Sequence, residues 1–469
     1  MKFGEKPISK CIGDLLVHSV KLPDGKLPKG TSLSKAHIQK LRSVGITSIL
    51  VASLEEGDVD ENLAAKLLSN AFKKIGFQLS APATGRVNFI AEKLSIARLD
   101  VEKIKRLNEI DEAINRITTD EYDALKFAAD RITAFHLKQM PDNFEYLDET
   151  EVKMGMRWSS VDSVGLYVPG GTASYPSSVL MNAIPAKVAG VPRRVITVPQ
   201  TRGSINPLVL AAAKLADVQE VYRVGGAQAI AALAYGTETI SPVDKIVGPG
   251  NAFVAAAKKL VYGVVGIDSI AGPSEVLIVA DTLNNPKWIA YDLLAQAEHD
   301  EVARSILITD SEKFATEVIN AVEETLTSLQ RSEIARASWE KQGAIIVLSS
   351  LAEAPELVDR IAPEHLELAV EKPGELMKLI KHAGAIFLGR YTPEAIGDYV
   401  AGPNHVLPTD RAARFSSGLS VFDFMKRSTF VECNVRSLKK IGPSAVTLAE
   451  AEGLPAHAES IRVRLSTFK

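Results

Sequence analysis

The chain has 469 residues, 46% of them hydrophobic and 24% charged, which places it among folded globular proteins and gives length for two to four domains. Its 54 basic and 57 acidic residues leave a net charge of -3 without a long basic run, which argues against a nucleic-acid surface and favours small-molecule chemistry. Cys11 and Cys433 are the only cysteines, so a disulfide framework and a Cys-rich zinc site are excluded, and any metal must use His, Asp, Glu or Gln. The apolar stretch of Met1 to Val20 is broken by Asp14 and His18, and no run of about 18 uninterrupted apolar residues occurs. The expectation is a cytoplasmic protein without a membrane anchor.

Taken in order, the first segment, Met1 to about Arg116, carries Lys29-Gly30-Thr31, a helical stretch around Ala36 to Val44, the acidic turn Gly57-Asp58-Val59-Asp60, and the run Ala81 to Asn88. Helices are expected around Leu125 to His136, and the run Ile132 to Met140 holds Phe135-His136 and Gln139. From about residue 190 short β-rich runs alternate with helical patterns. Val195 to Val198 precedes Pro207 to Leu215, and Glu220 to Val224 precedes the Ala-rich Ala227 to Ala234. Val276 to Val279, a helix from Trp288 to His299, Ile306 to Ile308, a helix from Phe314 to Leu326, Ile345 to Val347 and Ala385 to Phe387 continue the alternation. Repeated βα units imply mainly parallel sheets covered by helices, with ligand sites expected beyond the carboxyl ends of the strands. No Gly-x-Gly-x-x-Gly fingerprint is present; the nearest run, Gly248-Pro249-Gly250-Asn251-Ala252-Phe253, ends in Phe, so a standard dinucleotide grip has no sequence support.

The helix ending at Asp300 carries Gln296 and His299, three apart and therefore on one face. In isolation such a pair reads as a polar helix end. Its company is unusual, however: Tyr167-Val168-Pro169-Gly170-Gly171, Tyr175-Pro176-Ser177-Ser178, Gly225-Gly226-Ala227-Gln228, Gly248-Pro249-Gly250-Asn251, Ala271-Gly272-Pro273-Ser274-Glu275, Pro363-Glu364-His365-Leu366-Glu367, Gly397-Asp398, and Asn404-His405 through Thr409. With these motifs in this order, the chain resembles histidinol dehydrogenase from about Thr119 to the C-terminus. That family implies a zinc enzyme of the last step of histidine biosynthesis, with incomplete Rossmann-like domains and a homodimer. Residues 1 to about 116 instead resemble the leading domain of molybdopterin-binding, molybdenum-cofactor-related proteins. The expected organisation is an atypical N-terminal domain over residues 1–118, an α/β dehydrogenase core of two Rossmann-like lobes over 119–435, and a helical C-terminal tail over 436–469 that reaches the partner subunit.

Oxidising an alcohol to an acid removes two hydrides from one carbon, with water added to the aldehyde between them. The chemistry needs a base, a water activator and an electrophile. In Glu364-His365 the imidazole can accept a proton near neutral pH and the carboxylate can activate water, although an isolated Glu-His pair more often opens a solvated helix. The resemblance makes His365 the general base and Glu364 the water activator. It also matches Gln296, His299, Asp398 and His457 to the ligands of one Zn2+ per subunit, a donor set that manganese or cobalt also accepts. In the family the last ligand comes from the other subunit, on the tail that here carries Glu452 and His457, so dimerisation becomes obligatory for activity. Ser177, Ser274, His405 and Glu452 match substrate contacts, beside the metal ligands and Glu364-His365. Tyr167, Gln228 and Asn251 match NAD contacts; their structural alternatives are a core tyrosine, a helix-start glutamine and a turn asparagine. Likewise Asp398 alone reads as a turn residue and His457 as a surface histidine, while His18, His37, His136 and His382 read as structural or exposed. The resemblance implies oxidation of L-histidinol through L-histidinal to L-histidine with two NAD+. The competing expectation is a molybdopterin-binding module fused to an inactive dehydrogenase-like partner.

Overall fold

The computed structural model describes residues 2–23, 25–28, 30–53, 77–79, 89–91, 113–169, 175–199, 205–218 and 220–467. Gly57 to Asp60, Ala81 to Asn88, Lys29 and the Gly170-Gly171 pair lie outside the described residues. The chain divides into two compact units, Met1–Ile96 and Ala97–Lys469.

The first unit contains β1 (Lys2–Pro7), β2 (Leu15–Leu16), a hairpin of β3 (Val20–Leu22) and β4 (Gly25–Leu27), helix α1 (Lys35–Ser43), β5 (Ser48–Ser53), and a second hairpin of β6 (Phe77–Leu79) and β7 (Phe89–Ala91). Strands β1, β5 and β2 form an antiparallel sheet in that order. The Ser34 side chain accepts the His37 N–H, and this cap starts α1 one residue before the first apolar position of the pattern. Ile8, Cys11, Leu16, Leu33, Leu41 and Val51 pack as one small core, which accounts for Cys11 as an apolar filler.

In the second unit, α2 (Thr119–Leu137) opens on a Thr118–Glu121 capping box and leads into β8 (Phe144–Leu147) and β9 (Lys153–Ser160). A first lobe then runs β10 (Ser163–Tyr167), α3 (Pro176–Val188), β11 (Arg193–Thr197), α4 (Pro207–Leu215), β12 (Glu220–Tyr222), α5 (Gly226–Tyr235), β13 (Lys245–Val247), α6 (Ala252–Val261) and β14 (Gly266–Ile267). A second lobe runs β15 (Glu275–Ala280), α7 (Pro286–Ala297), β16 (Arg304–Thr309), α8 (Glu312–Leu326), α9 (Ser332–Gln342), β17 (Ala344–Val347), α10 (Ala354–Ile361), β18 (His365–Ala369), α11 (Pro373–Met377), β19 (Ala385–Leu388) and α12 (Glu394–Tyr399). Strand β20 (Met425–Glu432) returns to pair antiparallel with β9, and α13 (Val435–Ala451) and α14 (Pro455–Ser466) close the chain as a helical hairpin.

Each lobe has a five-stranded, all-parallel sheet, in the orders β12-β11-β10-β13-β14 and β17-β16-β15-β18-β19. Both place the lobe's first strand in the middle, flanked by its second and fourth, which is an incomplete doubly wound sheet, as expected. All six residues of β15 are buried, the near-continuous apolar run of a strand covered on both faces. The plainer alternative for an isolated Glu-His pair, a solvated helix start, does not hold: Glu364-His365 opens a strand, because His365 to Ala369 pair with β15 and β19. One expectation needs correction. The Ser274-Glu275 and Glu364-His365 motifs fall at the amino ends of β15 and β18, so only the first lobe carries its glycine-rich turns beyond the carboxyl ends.

Candidate active site

Strand β18 sends His365 and Glu367 to one face and Leu366 and Leu368 to the other, since side chains alternate along a strand. Leu366 and Leu368 join the apolar core under α10, while the opposite face meets α7 and α12. Helix α7 starts at Asn285, whose side chain accepts the Lys287 N–H, with Pro286 at its first position; Gln296 lies in its last turn and His299 just beyond its end. Gln296 Nε2 lies 3.2 Å from His299 Nδ1. Gln296 is fully buried and its Oε1 has no hydrogen-bond partner among the described residues, whereas His299 is exposed. Helix α12 lies close over the sheet because Gly397 has no side chain: a Cβ there would stand 2.6 Å from the Phe387 ring.

Both backbone polar groups of Glu275 grip the candidate catalytic pair. Its N–H donates to Glu364 Oε2 at 2.9 Å, and its carbonyl lies 3.0 Å from His365 Nδ1. A carbonyl only accepts, so Nδ1 carries the proton and Nε2 is the basic nitrogen. Nε2 is buried without a hydrogen-bond partner among the described residues, 3.7 Å from Glu394 Oε1. Burial holds His365 neutral, lowering its pKa to about 4 against the pull of the Asp398 charge. Burial likewise raises Glu364 well above the usual carboxylate range; the Glu275 N–H opposes this, and the carboxylates of Glu275, Asp398 and Glu394 add to it. Asp398 goes the other way: its burial is outweighed by the hydrogen bond and charge of His405, then by His365 and His299, and it stays ionised. His405 is fixed at both nitrogens, with Nδ1 3.1 Å from the Asp398 carbonyl and Nε2 3.4 Å from Ser178 Oγ. A cavity of about 520 Å³ opens beside His365 and His405, lined also by Phe387, Asn404 and, from α2, Phe135.

Gln296, His299, Glu364, His365, Asp398 and His405 are thus linked through hydrogen bonds, ion pairs and the charges acting on His365 and Asp398. Ser177 and Ser274 lie in half-buried turn or helix-start positions, and the hydroxyl that reaches His405 belongs to Ser178. Glu452 and His457 are exposed on the α13–α14 hairpin and are not among the groups that act on Asp398. Geometry adds residues that the motifs did not single out. His365, Glu394 and Asp398 offer ligand atoms all within 4.8 Å of one another. Glu367 Oε1 accepts the first N–H of α12, from Glu394, at 2.6 Å, and Glu367 in turn shares a hydrogen bond with Asp292. Burial raises Glu367 and Glu394 well above the carboxylate range and Asp292 to about 6. A glutamate in the middle of His365-Leu-Glu-Leu-Ala, and an aspartate four residues before Gln296 on its helix, were the available sequence signals.

The three candidate NAD residues follow carboxyl ends of first-lobe strands, Tyr167 and Asn251 beside the switch point between β10 and β13 and Gln228 on the helix after β12. Tyr167 ends β10, and its hydroxyl accepts the Gly226 N–H at 3.0 Å. Gln228 is exposed in the first turn of α5. Asn251 caps α6, its Oδ1 accepting the N–H groups of Phe253 and Val254 at 3.1 Å each, which leaves Nδ2 as its outward donor. The structural alternatives hold as well: Tyr167 is in the core and Asn251 is a helix cap.

The histidinol dehydrogenase family model matches residues 87–465, beginning ahead of Thr119. Histidinol dehydrogenase 1 of Nostoc sp. is 64% identical over 74% of this chain and 80% of its own length. Histidinol dehydrogenase of Rhodospirillum rubrum is 65% identical over 76% of this chain and 83% of its own length. A crystal structure of histidinol dehydrogenase from Elizabethkingia anophelis superposes with a TM-score of 0.75 at 39% identity, covering 80% of this chain and 86% of that one. A match of this breadth, over a fold with two parallel-sheet lobes and a buried Glu-His pair, makes this chain a member of the histidinol dehydrogenase family.

Proposed function

We propose that this protein oxidises L-histidinol through L-histidinal to L-histidine with two NAD+ and one Zn2+ per subunit, as a homodimer with shared sites. The observation that carries the reading is the buried Glu364-His365 pair held by the backbone of one residue: a neutral imidazole whose basic Nε2 has no hydrogen-bond partner among the described residues, beside a carboxyl group that burial raises above the usual carboxylate range. His365 Nε2 accepts the proton of the alcohol, and in the second half the proton of the hydrated aldehyde. Glu364, buried beside that base, takes the proton of the water that adds to the aldehyde.

Gln296, His299 and Asp398 fit a metal: a fully buried amide oxygen lacks a partner among the described residues, the exposed His299 imidazole lies against the same amide, and its charge acts on the ionised Asp398 carboxylate. This set is one protein ligand short of four, and His457 of a second copy would supply it, with Glu452 beside it. Zinc bound there supplies positive charge that orients the substrate's imidazole and amine. NAD+ supplies the hydride acceptor, and Tyr167, Gln228 and Asn251 present donors for it at the first lobe's switch point. Ser177, Ser274 and His405 complete the substrate contacts, with Ser178 orienting His405. The alternative of a pterin-binding module with an inactive partner finds no support in the family match. NADH formation with histidinol, lost on chelation and restored by zinc, tests the proposal; absence of histidinol-dependent NADH formation by the zinc-loaded dimer refutes it.

A further inference from the structure

The Gly248-Pro249-Gly250-Asn251 turn is built on a backbone that does not hold itself. Gly248 has φ +111°, a left-handed conformation that side chains rarely adopt, and a Cβ there would stand 2.2 Å from the Tyr167 carbonyl. The turn is pressed against the end of β10, and both polar groups of Gly248 are taken by a single ion pair. Its N–H donates to Asp268 Oδ2 at 2.7 Å, and its carbonyl accepts from Lys258 Nζ at 2.9 Å. Lys258 and Asp268 also bond to each other directly. Their side chains are 2% and 6% exposed, so neither is available to a ligand. Lys258 projects from α6, the helix that Asn251 caps, and Asp268 follows β14, the strand beside β13.

We infer that Lys258 and Asp268 are positioning residues for the dinucleotide: the buried pair clamps the Gly248 peptide and so fixes where Asn251 and the first N–H groups of α6 point. A buried charge pair gives little net stability over apolar residues of like volume, which makes its use here one of specifying geometry. The turn replaces the missing glycine fingerprint: its third glycine position is Phe253, and the shape is enforced from beneath by side chains. The inference rests on the NAD reading proposed above.

The test measures NAD+ affinity by calorimetry on the zinc-loaded dimer, together with zinc content and histidinol affinity, for the parent, Asp268→Asn, Lys258→Met, and Lys258→Met combined with Asp268→Leu. Binding by the parent checks the NAD reading itself; a parent that does not bind NAD+ sinks that reading and this inference with it. The expected result is NAD+ binding weaker by at least about tenfold in Lys258→Met, with zinc content and histidinol affinity unchanged. The weakening should persist in the double variant, where apolar packing replaces the pair. Asp268→Asn keeps an acceptor for the Gly248 N–H and should lose less. NAD+ affinity within twofold of the parent in any folded variant lacking Lys258 overturns the inference, as does a parallel loss of zinc and histidinol binding. Failure of all three variants to fold assigns the pair a purely structural role and overturns it too.

Discussion

His365 is buried in β18 of the second lobe, whereas His457 is exposed on α14 and is not among the groups that act on His365 or Asp398. If a second copy supplies the tail, a His365→Asn chain and a His457→Ala chain are each inactive alone but complementary when mixed. In the mixed dimer, one site combines both lesions and the other has an intact base and an intact tail. Loss of groups that merely support a metal ligand costs about 10- to 100-fold, so loss of the ligand itself should lower activity by at least about a hundredfold in the His457→Ala homodimer. Free exchange of equal amounts makes about half the dimers mixed, each with one good site of two, so the mixture should recover about a quarter of the parental rate. The assay is steady-state NADH formation after subunit exchange, with dimer composition read by native mass spectrometry on differently tagged chains. Mixed dimers present at that proportion, with activity still at background, would refute the shared site.

Glu364→Gln should slow oxidation starting from histidinal by about 100-fold while slowing the histidinol-to-histidinal half by less than about tenfold, because the amide cannot take a proton from water; equal losses in the two half-reactions count against the assignment. Arg304→Met removes the partner of the carboxylate of Glu275, whose backbone holds both Glu364 and His365, the proposed catalytic residues. With Arg304 38% exposed, the stability cost should be about 1–3 kcal/mol, below the range of a fully buried pair, and kcat should fall about tenfold with little change in the KM for NAD+; an unchanged kcat removes Arg304 from the positioning network. Glu367→Gln should flatten the loss of stability with rising pH in the zinc-free protein. The raised pKa means the native state keeps a proton that the unfolded chain has lost, so stability is fully present below the unfolded value and falls as pH rises toward the folded one. Chemical denaturation across that window checks this, and a steeper decline in the variant would contradict it.

Elements with local signals were legible in the chain. The helices at Pro207 to Leu215 and Phe314 to Leu326 follow from apolar periodicity, and the parallel lobes from alternating β-rich and helical runs. The sequence also supplied Gln296 and His299 as neighbours, because a three-residue spacing on a helix is itself a contact. What it could not decide was anything that depends on a strand's partners. Glu364-His365 opens a buried strand only because β15 and β19 flank it, and that pairing brings the Glu275 backbone, 89 and 90 residues distant in the chain, against both side chains. The clustering of Asp292, Glu367 and Glu394, and the choice of Ser178 over Ser177 as the hydroxyl near His405, depend in the same way on side chains from separate elements meeting on one face. Periodicity shows which face of an element is apolar; which buried polar groups share that face, and therefore which way their pKa values move, is decided only when the sheet and its covering helices have packed.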